Sequence, residues 1–479
     1  MPALRRWWAQ DLTFHLPVRD LLIPLLLLAL AAGTFYWRLG EGSLYDWDEG
    51  IHAQMAQEML WSHDLLTPHL AGAVHFTKPP LYLWQTVLAY KVFGVNEFAA
   101  RFWAALSGVG AVLMTYLLGR DLFNRAAGTA AALLLLTVNN LPYSHGYSFV
   151  SIGRMAMMTT PLAFYALVTV WLAWRGERDR RYIALIGLPL GAAVMTKNVA
   201  GLLPLIALLA YWAVTWPRRQ WPWREWGLAL ILLLAISLPW HISQALAYGQ
   251  RFFQEYIFHN LLERAATTID IQYHQQPPWF YLDVIRQGFS YAAWALPPAA
   301  LLAGYRALRR REPGLILLLF WALVPLAVYS ASSTKLGWYI VEAYPALALL
   351  LAWFLVTLLG QQWGVALVVA FLVFFGWRLP SPRDGSPDAK AVAPAVRYLA
   401  GKDQEVLLCM RGGDHPAPAM LFYAGRPVKH VLYGDGGLQR ALPGASWLLT
   451  DADTWQAAGL SGRIVCQSGS QLLVQLQQP

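Results

Sequence analysis

The sequence predicts a polytopic α-helical membrane protein of about eleven crossings, with a small α/β domain at its C-terminal end. Three observations predict it. Of 479 residues, 57% are hydrophobic and only 13% are charged, against about 25% charged in an ordinary soluble domain. Apolar runs close to the roughly 20 residues that cross a hydrocarbon core recur along the first 378 residues. Beyond residue 378 the long runs stop, and short strand-like runs alternate with helical ones.

The predicted spans are 21–39, 100–119, 126–143, 156–174, 182–196, 199–216, 226–243, 287–304, 314–331, 338–358 and 362–378. The fifth and sixth are separated only by MTKNVAG. The first run is long, and its start reads as a signal anchor rather than a cleaved leader. The 24 Trp and 22 Tyr suit surfaces that meet membrane interfaces. The net charge of +9 does not point to nucleic acid, because the basic residues form no single patch. They fall in short clusters between spans: 5–8, 119–125, 175–181, 217–224 and 306–313. A cytoplasmic N-terminus puts every one of these clusters inside, as the positive-inside rule asks. The same choice puts two long polar loops, about 40–99 and 244–286, outside, together with the tail. The topology gives a transmembrane domain over 1–378 and an external domain over 379–479.

That last domain opens on a Pro/Ser/Asp-rich linker, LPSPRDGSPDAK. Runs at EVLLCM, PVKHVLY, SWLLTD and RIVCQ read as strands, and AKAVAPAVRYLAG reads as helix. Both cysteines, Cys409 and Cys466, lie here. A periplasmic location permits a disulfide between them; two unpaired core residues is the alternative.

The chemistry concentrates in the first external loop. Residues 43–60, SLYDWDEGIHAQMAQEML, place Asp46, Asp48 and Glu49 within four positions at the start of a helical stretch. Asp46 reads as a helix cap. Asp48 and His52 are four apart and share a helix face; one of the adjacent carboxylates Asp48 and Glu49 can serve as a base. Four cations lie on the same external side: Lys78 before a Pro pair, Arg154 and Lys197 at outer ends of spans, and Lys335 in a short loop. Snorkelling accounts for any one of them. Four facing a carboxylate cluster describe a site for an anionic head group, such as a lipid-linked phosphate or pyrophosphate.

These segments resemble a known family. YDWDEGIHAQMAQEML, the Lys-Pro-Pro at 78–80 and GVNEFAAR at 94–101 are similar to the first loop of the bacterial protein-mannosyltransferase and aminoarabinose-transferase family, within the GT-C glycosyltransferases. GAAVMTKNVAGLLPL, YHQQPPWFYL and STKLGWYIVEAYPALALLLAW match later patterns, so the resemblance covers about 20–355. It implies a GT-C fold in a bacterial cytoplasmic (inner) membrane, with the domain at 379–479 periplasmic, and an inverting transferase that moves a sugar from a polyprenyl-phosphate donor to a lipid or protein acceptor at the periplasmic face. It implies Asp48, in the acidic pair with Glu49, as catalytic carboxylate, and Lys78, Lys197 and Lys335 as phosphate contacts; the reading of the residues adds Arg154. His52 and Tyr339 are further site candidates. The chain departs from the family pattern at Thr77, where Glu is frequent, and at Ile51-His52, where Arg-Tyr is frequent. It also departs at Thr159, where an acidic residue is common. Those departures leave the sugar and the acceptor open.

The second external loop adds Glu255, His259 and His274 as site candidates. They are the residues that could hold a divalent metal, the single cofactor the sequence admits. Two other readings stand beside the transferase. A transporter or flippase of lipid-linked sugars would show internal repeats and broken helices in matching halves, and none is visible. A degenerate relative that binds a lipid phosphate without turnover is kept in view by Thr159.

Overall fold

The computed structural model describes residues 18–137, 147–215, 222–263, 276–376, 380–381, 384–411, 417–434 and 436–477, without the side chains of 18–20 and 261. Helix α1 (Val18–Tyr36) leads into the first loop, which holds α2 (Asp48–Ser62), a hairpin of β1 (His69–Leu70) and β2 (Ala73–Val74), and α3 (Leu81–Phe93). There follow α4 (Glu97–Leu122), α5 (Arg125–Leu135), the short α6 (Phe149–Gly153), α7 (Thr159–Gly176), α8 (Arg181–Leu185), α9 (Gly187–Lys197), α10 (Leu203–Thr215) and α11 (Trp223–Tyr248). The second loop carries α12 (Gln250–Phe252), a π-helical segment (Phe253–Glu263) and α13 (Phe280–Phe289). Helices α14 (Leu296–Arg310), α15 (Pro313–Ala331), α16 (Tyr344–Leu359) and α17 (Gln361–Phe371) complete the bundle.

Five helical stretches among the described residues are long and apolar enough to cross a membrane: Glu97–Leu122, Arg181–Thr215, Trp223–Tyr248, Pro313–Ala331 and Gly337–Leu359. Leu21–Tyr36, Arg125–Leu135 and Gln361–Phe375 are apolar but shorter. The expected span at 287–304 is displaced. The chain runs through a 3₁₀ turn at Ser290–Ala295 and restarts as α14 at Leu296. Pro297 and Pro298 explain the restart, since proline opens a helix but cannot continue one from the preceding turn. The expected loop at MTKNVAG is a sharp break within a continuous helical stretch. Asn198 takes a φ of +54° and ends α9 at Lys197. A 3₁₀ turn, Asn198–Leu202, then packs so closely on α9 that a Cβ at Gly201 would collide with the Ala193 backbone.

Local signals start the central helices. The Asn96 side chain accepts from the Ala99 amide to cap α4, and Asn124 accepts from the Ala127 amide to cap α5, each at 2.9 Å. Such caps stabilise a helix by about 1 kcal/mol. One end of the bundle is rich in arginine. Asp121 pairs there with Arg120 and Arg175, and Arg306 lies over the Trp353 ring. The opposite ends of α4 and α9 meet the first loop.

The C-terminal unit comprises α18 (Pro387–Val392), α19 (Ala395–Leu399), β3 (Glu405–Leu408), α20 (Pro418–Ala424), β4 (Lys429–His430), α21 (Gly437–Ala441), β5 (Ala445–Asp451), α22 (Ala452–Ala458), β6 (Gly462–Ser468) and β7 (Gln471–Leu476). Its sheet runs β4-β3-β5-β7-β6, parallel over the first three strands and antiparallel thereafter. Of the two readings left open for the cysteines, the unpaired one holds: both are free. Cys409 follows β3 and Cys466 sits on β6, three strand spacings away. At about 4.8 Å per spacing the gap is about 14 Å, far beyond disulfide reach.

This unit shares its core with the first loop. Met55, Met59, Tyr82 and Tyr90 from α2 and α3 join Met420, Phe422, Val406 and Trp447 in one buried cluster. Polar contacts seal the junction. Asp384 accepts from both the amide and the hydroxyl of Ser43, Tyr423 donates to Glu97 at 3.1 Å, and Lys390 pairs with Glu97 at 2.6 Å. Asp46 was expected to cap its own helix. Its side chain instead accepts from the Ala419 amide at 2.8 Å, at the start of α20. Gly50 makes the approach feasible, because a Cβ there would meet the Ala419 nitrogen at 3.0 Å.

Beneath this junction lies a buried ion pair. Arg101 on α4 donates to Glu49 at 2.8 Å and to the backbone carbonyls of Leu39, Glu41 and Ser43. Glu49 also accepts from the amides of Tyr45 and Ala156. Removing one partner of such a pair leaves a buried charge uncompensated, at about 3–5 kcal/mol. The Arg101→Met variant, purified in detergent, is expected to unfold at a clearly lower temperature than the parent. Glu49→Met combined with Arg101→Met should recover part of the loss. A single variant as stable as the parent would show that the pair does not hold the loop.

Candidate functional site

A cavity of about 670 Å³ opens where the first loop, the second loop, the span ends next to them and the C-terminal sheet meet. Helix geometry decides which first-loop carboxylate reaches it. Asp48 and His52 are one turn apart on α2 and both line the cavity. Glu49 is rotated about 100° from Asp48 and points to Arg101 instead. The adjacent pair therefore divides its work: Asp48 is partly buried at the cavity wall, and Glu49 is fully buried in the ion pair.

His52 is anchored. Its Nδ1–H donates to the Ala156 carbonyl at 3.0 Å, and its ring meets Tyr82 edge-on. Burial holds its imidazole below the ordinary value, and Lys78 and Lys197 push the same way against the pull of Asp48. His52 is therefore neutral at pH 7.

Lys78 reaches the wall from the segment before α3, and the Pro79-Pro80 pair after it excludes a helical entry. The hairpin beside it is fixed by Glu58, whose carboxylate accepts from the Ala71 and Gly72 amides at 2.7 and 3.0 Å. Ala71 and Gly72 both have positive φ, +54° and +76°, as a two-residue hairpin turn requires. Lys197 lines the wall from the broken end of α9, with its Nζ 4.2 Å from the centre of the Tyr339 ring. Tyr339 lines the same cavity, as does Thr159 at the start of α7.

Two expected phosphate contacts are not among the lining residues. Arg154 donates from Nη1 to the carbonyls of Thr34 and Phe35, in the last turn of α1. Helix C-terminal carbonyls attract cations, and this arginine is used to tie α1 to the loop before α7. Lys335 donates to the Ser332 carbonyl at 2.7 Å, although its neighbours Thr334 and Leu336 do line the cavity. Of four cations expected to converge, the structure brings two together.

Glu255 and His259 both reach the cavity from the π-helical segment. Each has a local partner, Arg251 at 2.7 Å and Glu263 at 2.6 Å. His274 lies outside the described residues. No three Asp, Glu, His or Cys side chains among the described residues converge as a metal site would need.

Sequence reasoning missed His75, Asn260, Thr334 and His430, which also line the wall. His75 is three residues from Lys78, and that spacing was a usable signal. His430 had none: it sits on β4, an edge strand of the C-terminal sheet, where burial holds its imidazole below the ordinary value. Only the docking of that sheet brings it to the cavity.

Residues 77–241 match the family model described as dolichyl-phosphate-mannose-protein mannosyltransferase. The chain is 35% identical over 341 residues to undecaprenyl phosphate-alpha-4-amino-4-deoxy-L-arabinose arabinosyl transferase 2 of Pseudomonas fluorescens, covering 69% of this chain and 55% of that one. It is 34% identical over 364 residues to the corresponding transferase of Pseudomonas savastanoi, covering 73% and 65%. The chain thus spans between about half and two thirds of the length of these relatives. Among solved structures it is similar to ArnT from Cupriavidus metallidurans bound to undecaprenyl phosphate. The TM-score is 0.73 at 20% identity, over 94% of this chain and 97% of that one. It is also similar to the oligosaccharyltransferase of Archaeoglobus fulgidus, with TM-score 0.61 at 15% identity, over 92% and 70%. The two structural likenesses establish a shared fold. The matched segment and the relatives show that the chain is similar to the protein-mannosyltransferase and aminoarabinose-transferase family.

Proposed function

We propose that the protein is an integral-membrane glycosyltransferase that takes a sugar from a polyprenyl-phosphate donor and passes it to a lipid or protein acceptor. The observation that carries this is the cavity wall, on which Asp48 stands together with Lys78 and Lys197. A carboxylate and two ammonium groups are what a displacement at a sugar phosphate needs. The acceptor oxygen attacks the anomeric carbon from the side opposite the phosphate. The bond from that carbon to the phosphate oxygen breaks, and polyprenyl phosphate leaves with the electron pair. A single displacement of this kind inverts the anomeric centre. Asp48 takes the proton of the acceptor oxygen. Lys78 and Lys197 neutralise the charge that grows on the leaving phosphate. Glu49 serves in this reading as a strut that aims α2.

The relatives' names support an undecaprenyl-phosphate donor, and 4-amino-4-deoxy-L-arabinose is the first sugar to test. The arginine-rich end of the bundle is read as the cytoplasmic face. The cavity and the C-terminal unit are read as periplasmic. Thr159 favours a second reading, in which the cavity holds a lipid phosphate without turnover, because it stands at the wall where the resemblance leads one to expect an acid.

The Asp48→Asn variant separates these readings. Its transfer rate, measured with purified protein and donor, is expected to fall about 10²–10⁴-fold with an unchanged unfolding temperature; normal turnover would remove Asp48 from the chemistry. Lys78→Ala should raise the donor KM about ten- to a hundredfold, as loss of a charged hydrogen bond does. A donor KM equal to the parent's would refute a phosphate contact there. His52 supplies a pH test. An unfolded histidine titrates near 6.5, and the native one titrates lower, so the unfolded chain binds the extra proton first. Stability from this residue is therefore complete above about pH 6.5 and declines as pH falls toward the native value. Thermal unfolding of the parent between pH 7 and 5 should fall more steeply than that of His52→Gln, and equal slopes would contradict the buried neutral imidazole.

A further inference from the structure

One buried charge has no part in the chemistry above. Glu342 lies in the 3₁₀ turn Gly337–Ala343 that precedes α16, with 0% of its surface exposed. Its neighbours Ile340, Val341 and Ala343 are buried and apolar. One carboxylate oxygen accepts from the Tyr329 hydroxyl at 2.6 Å. The other takes no hydrogen bond from the described residues. A carboxylate in such a place costs several kcal/mol unless an opposite charge compensates it. An ionisable group at membrane depth is a functional candidate, to be judged by its partner.

The partner is reached through two rings. Tyr329 packs on Tyr339 with ring centres 5.4 Å apart, and the Lys197 ammonium lies 4.2 Å from the Tyr339 ring centre. Lys197 is the cation that acts electrostatically on Glu342. Lys197 is itself only 8% exposed, and that small exposure faces the cavity. The order from core to cavity is therefore carboxylate, tyrosine pair, ammonium.

We infer that Glu342 is a positioning residue for the donor: from behind the wall, through Tyr329 and Tyr339, it holds Lys197 charged and seated where the donor phosphate binds. The physical need is plain. A lysine nearly stripped of water keeps its charge only beside a compensating group. While the cavity is empty no phosphate can provide one, and the face of Tyr339 gives part of the compensation. Glu342 adds to it from behind the wall without lining the cavity, so it does not occupy the phosphate's place. When polyprenyl phosphate departs, the ammonium is left with a standing partner and the wall keeps its shape.

This rests on the proposed donor site, and the experiment keeps the two apart. The probe is undecaprenyl phosphate, titrated against the full chain purified in detergent, with the dissociation constant as readout. Binding by the parent supports the site; no binding by the parent overturns the proposed function and this inference with it. Given parental binding, Glu342→Gln is expected to weaken affinity about tenfold or more, and Glu342→Asp to restore part of it. Lys197→Gln should weaken affinity as well, and the double variant should be no worse than Lys197→Gln alone. A purely structural role for Glu342 predicts losses that add. Unchanged or tighter binding by Glu342→Gln, or additive losses, would overturn the inference. If Glu342→Gln does not fold, Tyr329→Phe reads the same coupling: a smaller loss that vanishes in the Lys197→Gln background supports it, and an additive loss overturns it.

Discussion

The pairing of Arg101 with Glu49 is the constraint on which the rest of the site depends. Five N–H groups radiate from one guanidinium. Here they gather the chain between α1 and α2 and Glu49 itself around the start of α4. Glu49 extends the knot to the loop before α7 through the Ala156 amide. Because α2 is rigid, fixing Glu49 fixes its rotation. Asp48 and His52 then have one direction left, toward the cavity.

The same knot reaches the C-terminal unit. Ser43 gives its carbonyl to Arg101 and its amide and hydroxyl to Asp384. Asp46, two positions before Asp48, binds the start of α20. The sheet of that unit is therefore seated by the residues that aim the carboxylate. Its edge strand brings His430 to the cavity as a consequence. A shared core of α2, α3 and the sheet face makes the arrangement one packed body rather than a tethered domain.

Charge is placed in layers. Lys78, Lys197 and Asp48 face the cavity, while Glu49, Arg101, Arg154 and Glu342 lie behind it, each with a partner. Buried polar groups need partners because water is not there to replace them. The second layer gives the first layer fixed positions, which is what the proposed stabilisation of a leaving phosphate requires.

Much of this was legible in the linear chain. Composition and run length announced the helical bundle, since crossing a bilayer imposes a length and an apolarity that no other constraint mimics. The strands β3, β4, β5 and β6 follow from short strand-like runs. Asp48 with His52, and Lys78 before its prolines, follow from local spacing and from resemblance. What the chain order could not settle was the direction of a side chain once helices pack. Asp48 and Glu49 are adjacent and chemically alike; only their 100° separation on a helix held by Arg101 gives one to the cavity and the other to the core. Arg154 and Lys335 read as phosphate contacts because charge and position are all a sequence displays, yet nearby carbonyls claim them first. His430 is more than 370 residues from Asp48, and no periodicity joins them. Their meeting is a product of tertiary docking, in which buried hydrogen bonds and a shared apolar core choose one arrangement among the many that the sequence pattern allows.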